Sequence, residues 1–209
     1  MAWYDWFASF YDASVEGFYR DARQAALDQL RVHEGATVLV LACGTGQDFE
    51  VVAPAVGAGG RVIGLDFSPG MLKKAARRIE QRGWDHVTLV EADARTVSAE
   101  QLEAAVGAPV QLDAVLVCLG MSVLPDWEQV FHQAWELLRP GGRFVIFDVY
   151  ADRWVPQTSW IKLIAQADVY RKVWEPLEGV ADDFSRDHLP GSPHLHGGNL
   201  YLSAGTKQA

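Results

Sequence analysis

The residues whose types and spacing could do chemistry are a glycine-rich turn and two acids. The stretch VLVLACGTGQDF, Val38–Phe49, runs from apolar residues into Gly44-Thr45-Gly46. A chain leaving a buried strand this way brings backbone close to a ligand, and the helix that follows offers free N–H groups. The turn alone is a weak signal, because dinucleotide-binding and unrelated proteins share it. Asp66 adds to it. It ends RVIGLD about twenty residues beyond Gly46, where a carboxylate accepts from both hydroxyls of a ribose. Asp93, in EADA, closes a third apolar run. A carboxylate there can accept from an adenine amino group, with the Ala94 N–H near the ring edge. Ribose acid and adenine acid together point to an adenosine-type nucleotide. A nicotinamide dinucleotide is disfavoured, since it wants a small residue where bulky Phe49 stands.

The elements that position these residues alternate. Apolar, strand-like runs occur at 37–42, 61–66, 87–92, 113–119 and 143–149. They lack strict alternation of polar and apolar residues, as strands covered on both faces should. Helical patterns lie between them. One begins at Ser68 as N-cap, with Pro69 in the first turn and Gly83 at its end. Another spans Pro125–Arg139, with Trp127, Val130, Phe131, Ala134, Trp135 and Leu138 on one stripe, and RPGG turns it into the next strand. The order predicts an α/β fold: a doubly wound, mostly parallel seven-stranded sheet with helices on both faces. Its last two strands are a C-terminal antiparallel hairpin formed by DDFSRDHL and GGNLYLSAGT at the sheet edge. The whole chain, 1–209, is expected to be one domain. Within it, 1–34 is an N-terminal helical lid, 35–150 the cofactor-binding core, and 151–209 a substrate-side helix and the edge hairpin.

Composition narrows the function classes. A net charge of −9 with scattered acids argues against nucleic acid or an anionic membrane surface as an electrostatic partner. No apolar run is long enough to span a bilayer, and the first residues do not read as a signal peptide. Cys43 and Cys118, both at strand ends, predict no disulfide framework and fit a cytoplasmic protein. They are packing residues before they are nucleophiles, with no flanking cation to activate either. Aromatics crowd the front segment (Trp3, Tyr4, Trp6, Phe7, Phe10, Tyr11, Phe18, Tyr19) and recur at Trp154, Trp160 and Trp174. Taken singly these are core residues. Taken together, beside the open end of the sheet, they suggest an apolar or aromatic ligand. His188, His194 and His196 lie in a Gly- and Pro-rich loop without the acids or thiols that would complete a metal site, so no metal is expected.

VLVLACGTGQ, VIGLDFSPGML, LVEADA, LDAVLVCLGMSVLPDW and LLRPGGRFVIFDV resemble, in order, the motifs of class I S-adenosylmethionine-dependent methyltransferases across about residues 35–150. WYDWFASFYD and MSVLPDW look most like the subgroup of quinone-biosynthesis and bacterial phospholipid N-methyltransferases. The resemblance implies S-adenosyl-L-methionine as cofactor. It implies that Ala42, Cys43, Gly44, Thr45 and Gly46 wrap its methionine part and that Asp66 binds ribose. Phe67 and Met71 would lie against the adenosine, with Asp93 and Ala94 at adenine. Cys118 and Leu119 would face the sulfonium side, and Tyr11 of the lid joins the cofactor-binding set. The implied acceptor is a small or lipid-like molecule, reached where lipid is concerned through exposed lid aromatics. No catalytic residue is assigned; Tyr4, Tyr11, Asp12 and Asp148 are the candidates near the acceptor. The family usually has an acid where Val40 stands and Gly where Ala42 stands. Asp48 or a residue of the front segment is expected to take over that acid's role. Without such a substitute, the alternative is a non-catalytic binding or interaction module on the same fold.

Overall fold

The computed structural model describes residues 19–154, 156, 158, 159, 162, 166–189 and 198–208. Tyr4, Tyr11, Asp12, the other front aromatics up to Phe18, Trp160, His194 and His196 lie outside the described residues.

The apolar runs form strands because each is rich in Val, Leu and Ile and is covered on both sides. In chain order the elements are α1 (Arg20–Leu30), β1 (Thr37–Leu41), α2 (Phe49–Val56), β2 (Arg61–Asp66), α3 (Pro69–Arg82) and β3 (Val87–Glu91). They continue as α4 (Ala99–Val106), β4 (Leu112–Cys118), α5 (Trp127–Leu137), β5 (Leu138–Tyr150), α6 (Glu175–Val180), β6 (Asp182–Leu189) and β7 (Asn199–Thr206). The seven-stranded sheet has the order β3-β2-β1-β4-β5-β7-β6. Neighbours from β3 to β5 are parallel, whereas β7 runs antiparallel to both β5 and β6. The C-terminal hairpin therefore closes one side as expected, with β6 as the edge strand.

Two apolar layers sandwich the sheet. Ala22, Ala26 and Leu30 of α1, Phe49, Val52 and Val56 of α2, and Leu72 and Ala75 of α3 pack with Val38, Val40 and Leu116 on one face. Leu102 of α4, Val130, Phe131 and Trp135 of α5, and Leu177 of α6 pack with Leu39, Val115 and Phe144 on the other. The stripe at 22, 26 and 30 is the four-residue spacing of a helix burying one side.

The helix ends show how local chemistry sets boundaries. Ser68 caps α3 by accepting from the Met71 N–H, and Gly83 closes the helix in the left-handed region at φ 66°. α4 carries a reciprocal cap: Ser98 Oγ accepts from the Gln101 N–H at 3.3 Å, and the Ser98 N–H donates to Gln101 Oε1 at 2.9 Å. Ser98→Ala should cost about 1 kcal/mol, read as a lower urea midpoint, with ligand binding in the cavity described below unchanged. α5 is shorter than the sequence pattern predicted. It starts at Trp127, because Asp126 is left-handed at φ 48° and its carboxylate pairs with Arg95 at 3.0 Å. It ends at Leu137, and β5 begins at Leu138 rather than 143. Residues 139–142 bulge out of the pairing between Leu112↔Leu138 and Ala114↔Arg143. Trp154, expected in the core, is 66 % exposed. Among the described residues no helix is long and apolar enough to cross a membrane.

Candidate functional site

Strand order reverses between β1 and β4, and ligands in such sheets bind outside the carboxyl ends of the strands at that point. A cavity of about 450 Å³ opens there, floored by the ends of β1, β2, β3 and β4. Ala42, Cys43, Gly44 and Thr45 from the glycine loop line it, with Asp66 at the end of β2, Phe67 beyond it and Met71 in the first turn of α3. Asp93 and Ala94 after β3, Cys118 at the end of β4 and Leu119 just beyond it complete the predicted set that the cavity brings together. Gly46 lies behind this surface.

The glycine loop is shaped by backbone that side chains resist. Ala42, Gly44 and Gly46 have φ of 52°, 54° and 77°. Ala42 thus adopts a conformation that glycine takes more cheaply. A Cβ on Gly46 would come within 2.7 Å of the Phe49 ring, and one on Gly64 would also meet that ring. Phe49 fills the space that a close helix approach would need, which is the steric side of the argument against a dinucleotide. The Cys43 N–H donates to the Leu65 carbonyl and the Gly46 N–H to the Cys43 carbonyl, both at 2.9 Å, tying the loop to β2.

Asp66 is the anchor between loop and helix. Its Oδ2 accepts from the Gly44 N–H and its Oδ1 from the Ser68 N–H, each at 2.9 Å. An ionised carboxylate has about four lone-pair sites, so acceptor capacity remains. Burial pushes its pKa up, while the N–H groups of Ser68 and Gly44 pull the other way. Asp93 is arranged differently. Its side chain is 44 % exposed and held by the Arg95 guanidinium, Nη2 to Oδ2 at 2.6 Å. That fork lowers its pKa and occupies most of the carboxylate.

After β4 the chain turns sharply. Leu119 is left-handed at φ 56° and donates its N–H to the Phe147 carbonyl at 2.7 Å. Two non-glycine residues with positive φ, Ala42 and Leu119, thus leave the two strands flanking the reversal point. Backbone strain of this kind gathers at binding sites. The Cys43 and Cys118 thiols are pushed well up by burial and stay protonated. Asp148 does not line the cavity. It is buried, accepts from the Ser122 N–H at 2.9 Å and from the Val149 N–H at 2.8 Å, and so holds the loop after β4 in place. Burial raises its pKa. His188 packs edge-on against Tyr201, ring centroids 5.3 Å apart.

The sequence reading missed Arg23. It lines the cavity from α1 and pairs with Asp48 at 2.8 Å, the two side chains being 9 % and 7 % exposed. Val40 is fully buried in the core layer below. Asp48 and Arg23 thus both reach the cavity wall as an ion pair. The available signal was an arginine inside the buried stripe of α1, beside Ala22 and Ala26. Arg95 and Gln166 also line the cavity without having been singled out.

Residues 39–144 match a family model described as a methyltransferase domain. The chain is similar to a demethylmenaquinone methyltransferase of Anoxybacillus flavithermus, 31 % identical over 137 residues, covering 65 % of this chain and 54 % of that protein. It is similar to a 2-phytyl-1,4-naphtoquinone methyltransferase of Thermosynechococcus vestitus, 32 % identical over 150 residues, covering 72 % and 60 %. The match thus spans little more than half the length of these relatives. Among solved structures, the fold is shared with the Haloferax volcanii complex between the Trm112 methyltransferase activator and a putative methyltransferase, at TM-score 0.75, 20 % identity, and coverage of 99 % and 98 %. It is also shared with Haemonchus contortus phosphoethanolamine N-methyltransferase 2 in complex with S-adenosyl-L-methionine, at TM-score 0.72, 15 % identity, and coverage of 97 % and 60 %.

Proposed function

The chain belongs to the methyltransferase-domain family, and from that premise we propose that it moves a methyl group from S-adenosylmethionine to a small-molecule or lipid-like acceptor. The observation that carries this reading is Asp66. Its carboxylate is clamped between the Gly44 and Ser68 N–H groups at the cavity wall, with lone pairs left for a ribose diol.

The residues present fit the cofactor. Ala42, Cys43, Gly44, Thr45 and Gly46 would wrap the methionine part, and the Arg23–Asp48 pair matches the opposite charges of an amino-acid end. Phe67 and Met71 would flank the adenosine. Ala94 would offer its N–H to adenine, and Asp93 would do so with whatever acceptor capacity Arg95 leaves it. Cys118 and Leu119 would face the sulfonium, and Tyr11 is the one further residue proposed for the cofactor-binding set. Bound S-adenosylmethionine supplies a methyl group whose bond to sulfur breaks as the bond to the acceptor forms, leaving a neutral thioether. That displacement asks the protein for alignment and exclusion of water rather than for a nucleophile of its own. The positive-φ exits at Ala42 and Leu119 would set that alignment. Leu119, Val123, Leu124, Pro125 and Val130 give one side of the cavity an apolar wall. Arg171 donates to the carbonyls of Met121 and Leu124 at 3.2 and 2.7 Å and keeps that wall in place. An apolar, ring-bearing acceptor suits it, and the named activities of the quinone methyltransferase relatives support that class.

Calorimetric titration with S-adenosylmethionine, S-adenosylhomocysteine and NAD tests the reading. Binding of the first two without NAD is expected. Binding of none would shift the assignment to a non-catalytic module. Asp66→Ala should weaken S-adenosylhomocysteine binding by about 1–3 kcal/mol, roughly five- to 150-fold, since the diol and the two N–H groups lose their acceptor. Equal affinity would remove Asp66 from the ribose.

A further inference from the structure

Arg95 lines the cavity beside Asp93 and gives that carboxylate three donors. Its backbone N–H goes to Oδ1 at 2.9 Å, its Nε–H is shared between the two oxygens at 3.0 Å each, and Nη2 donates to Oδ2 at 2.6 Å. An ionised carboxylate has about four lone-pair sites, so about one stays open. The fork also fixes the plane of the group. At 44 % exposure a carboxylate without it would turn among rotamers. The remaining arm, Nη1, donates to Asp126 Oδ2 at 3.0 Å. Asp126 stands just before α5, and in the sheet β2 and β1 lie between β3 and β4. The guanidinium thus joins the loop after β3 to the segment that follows β4. Gln129 Nε2 donates to the Arg95 carbonyl at 3.4 Å and Gln133 Nε2 to the Val97 carbonyl at 2.6 Å, fastening the same loop to α5. Arg95 is therefore anchored, and so is the carboxylate it holds. An acceptor with one open direction is selective. An amino group donates to it, whereas a ring carbonyl in the same place meets it lone pair to lone pair.

We propose that Arg95 is a positioning residue for the base: it holds Asp93 with its open acceptor site toward the exocyclic amino group of adenine, and so makes the cavity choose adenine over hypoxanthine. This role presupposes that the cavity takes S-adenosylmethionine. S-adenosylhomocysteine and S-inosylhomocysteine, which carry the amino group and a ring carbonyl at that place, are titrated by calorimetry into the parent, Arg95→Ala and Arg95→Lys. The parent should bind the adenosyl compound the more tightly. Arg95→Ala should lose about tenfold in affinity for it and little for the inosyl compound, so that the preference falls about tenfold. Retained binding of the inosyl compound shows that the variant is folded. Arg95→Lys keeps a charge but not the fork, and should follow the alanine variant. Parallel losses for both ligands would make Arg95 a rim residue with no part in reading the base. A rise in S-adenosylhomocysteine affinity would mean that it only masks Asp93. Either result, or a preference that survives in both variants, overturns the role of Arg95 while leaving the cofactor in place. No binding of S-adenosylhomocysteine by the parent overturns the cofactor reading and this role together.

Discussion

Arg23→Met should lower the free energy of unfolding by about 3–5 kcal/mol, the usual cost of stranding one member of a buried ion pair. Asp48 would be left without the partner that stood 2.8 Å away, in a wall where both side chains were more than nine-tenths buried. The nearby Cys118 thiol, already held protonated by burial and by Asp48, offers no positive charge in exchange. Arg23→Met/Asp48→Leu should recover most of the loss, because two apolar side chains of similar volume avoid desolvating any charge. The two substitutions part company in ligand binding. If the pair exists to meet the amino and carboxylate groups of methionine, the double variant regains stability but not affinity for S-adenosylhomocysteine. Urea unfolding of the three proteins, with calorimetry on the double variant, separates a structural pair from a binding one. Unfolding of Arg23→Met at the parent's midpoint would show that water reaches Asp48 and that the pair is screened.

The pair also marks where sequence reasoning stops. Strands announce themselves through runs such as RVIGLD, because burial on both faces demands apolar side chains at every position, and β2 begins and ends where that run does. Ser68, Pro69 and Gly83 bound α3 because capping and left-handed closure are local requirements with few solutions. Asp66 was legible for the same reason: it sits at a fixed distance from the glycine turn along the chain. Arg23 and Asp48 are brought together by the packing of α1 against the sheet, which no spacing along the chain encodes. The Arg95 fork shows the converse. Asp93 stands where an adenine acceptor is expected, yet a residue two positions on claims its carboxylate, and sequence alone does not orient that arginine. Ala42 and Leu119 hide their significance because alanine and leucine carry no hint of left-handed backbone. The early end of the helical stripe before RPGG was obscured by Leu138, which is buried in either assignment.

Phe49→Ala should also cost about 3–5 kcal/mol, and here the loss reaches the ligand through shape rather than charge. The ring is fully buried, opens α2, and occupies the space left by the absent side chains of Gly46 and Gly64. Removing it leaves a cavity beneath the turn that presents Gly44 and Thr45 to the ligand. The turn retains its hydrogen bonds from Gly46 to Cys43 and from Gly44 to Asp66, each 2.9 Å long. Those bonds fix the path of the chain, but the ring stops Gly46 from sinking toward β2. Affinity for S-adenosylhomocysteine should therefore fall along with stability, whereas Phe49→Leu, which keeps much of the volume, should lose less than about 1.5 kcal/mol and bind nearly as well. Urea unfolding and calorimetry on both variants test the link. If Phe49→Ala binds as tightly as the parent while unfolding more easily, the hydrogen bonds alone shape the turn and Phe49 is a core residue that happens to adjoin it. If both quantities fall together, the bulky residue that argued against a dinucleotide is also what holds the glycine loop at the height the methionine end requires.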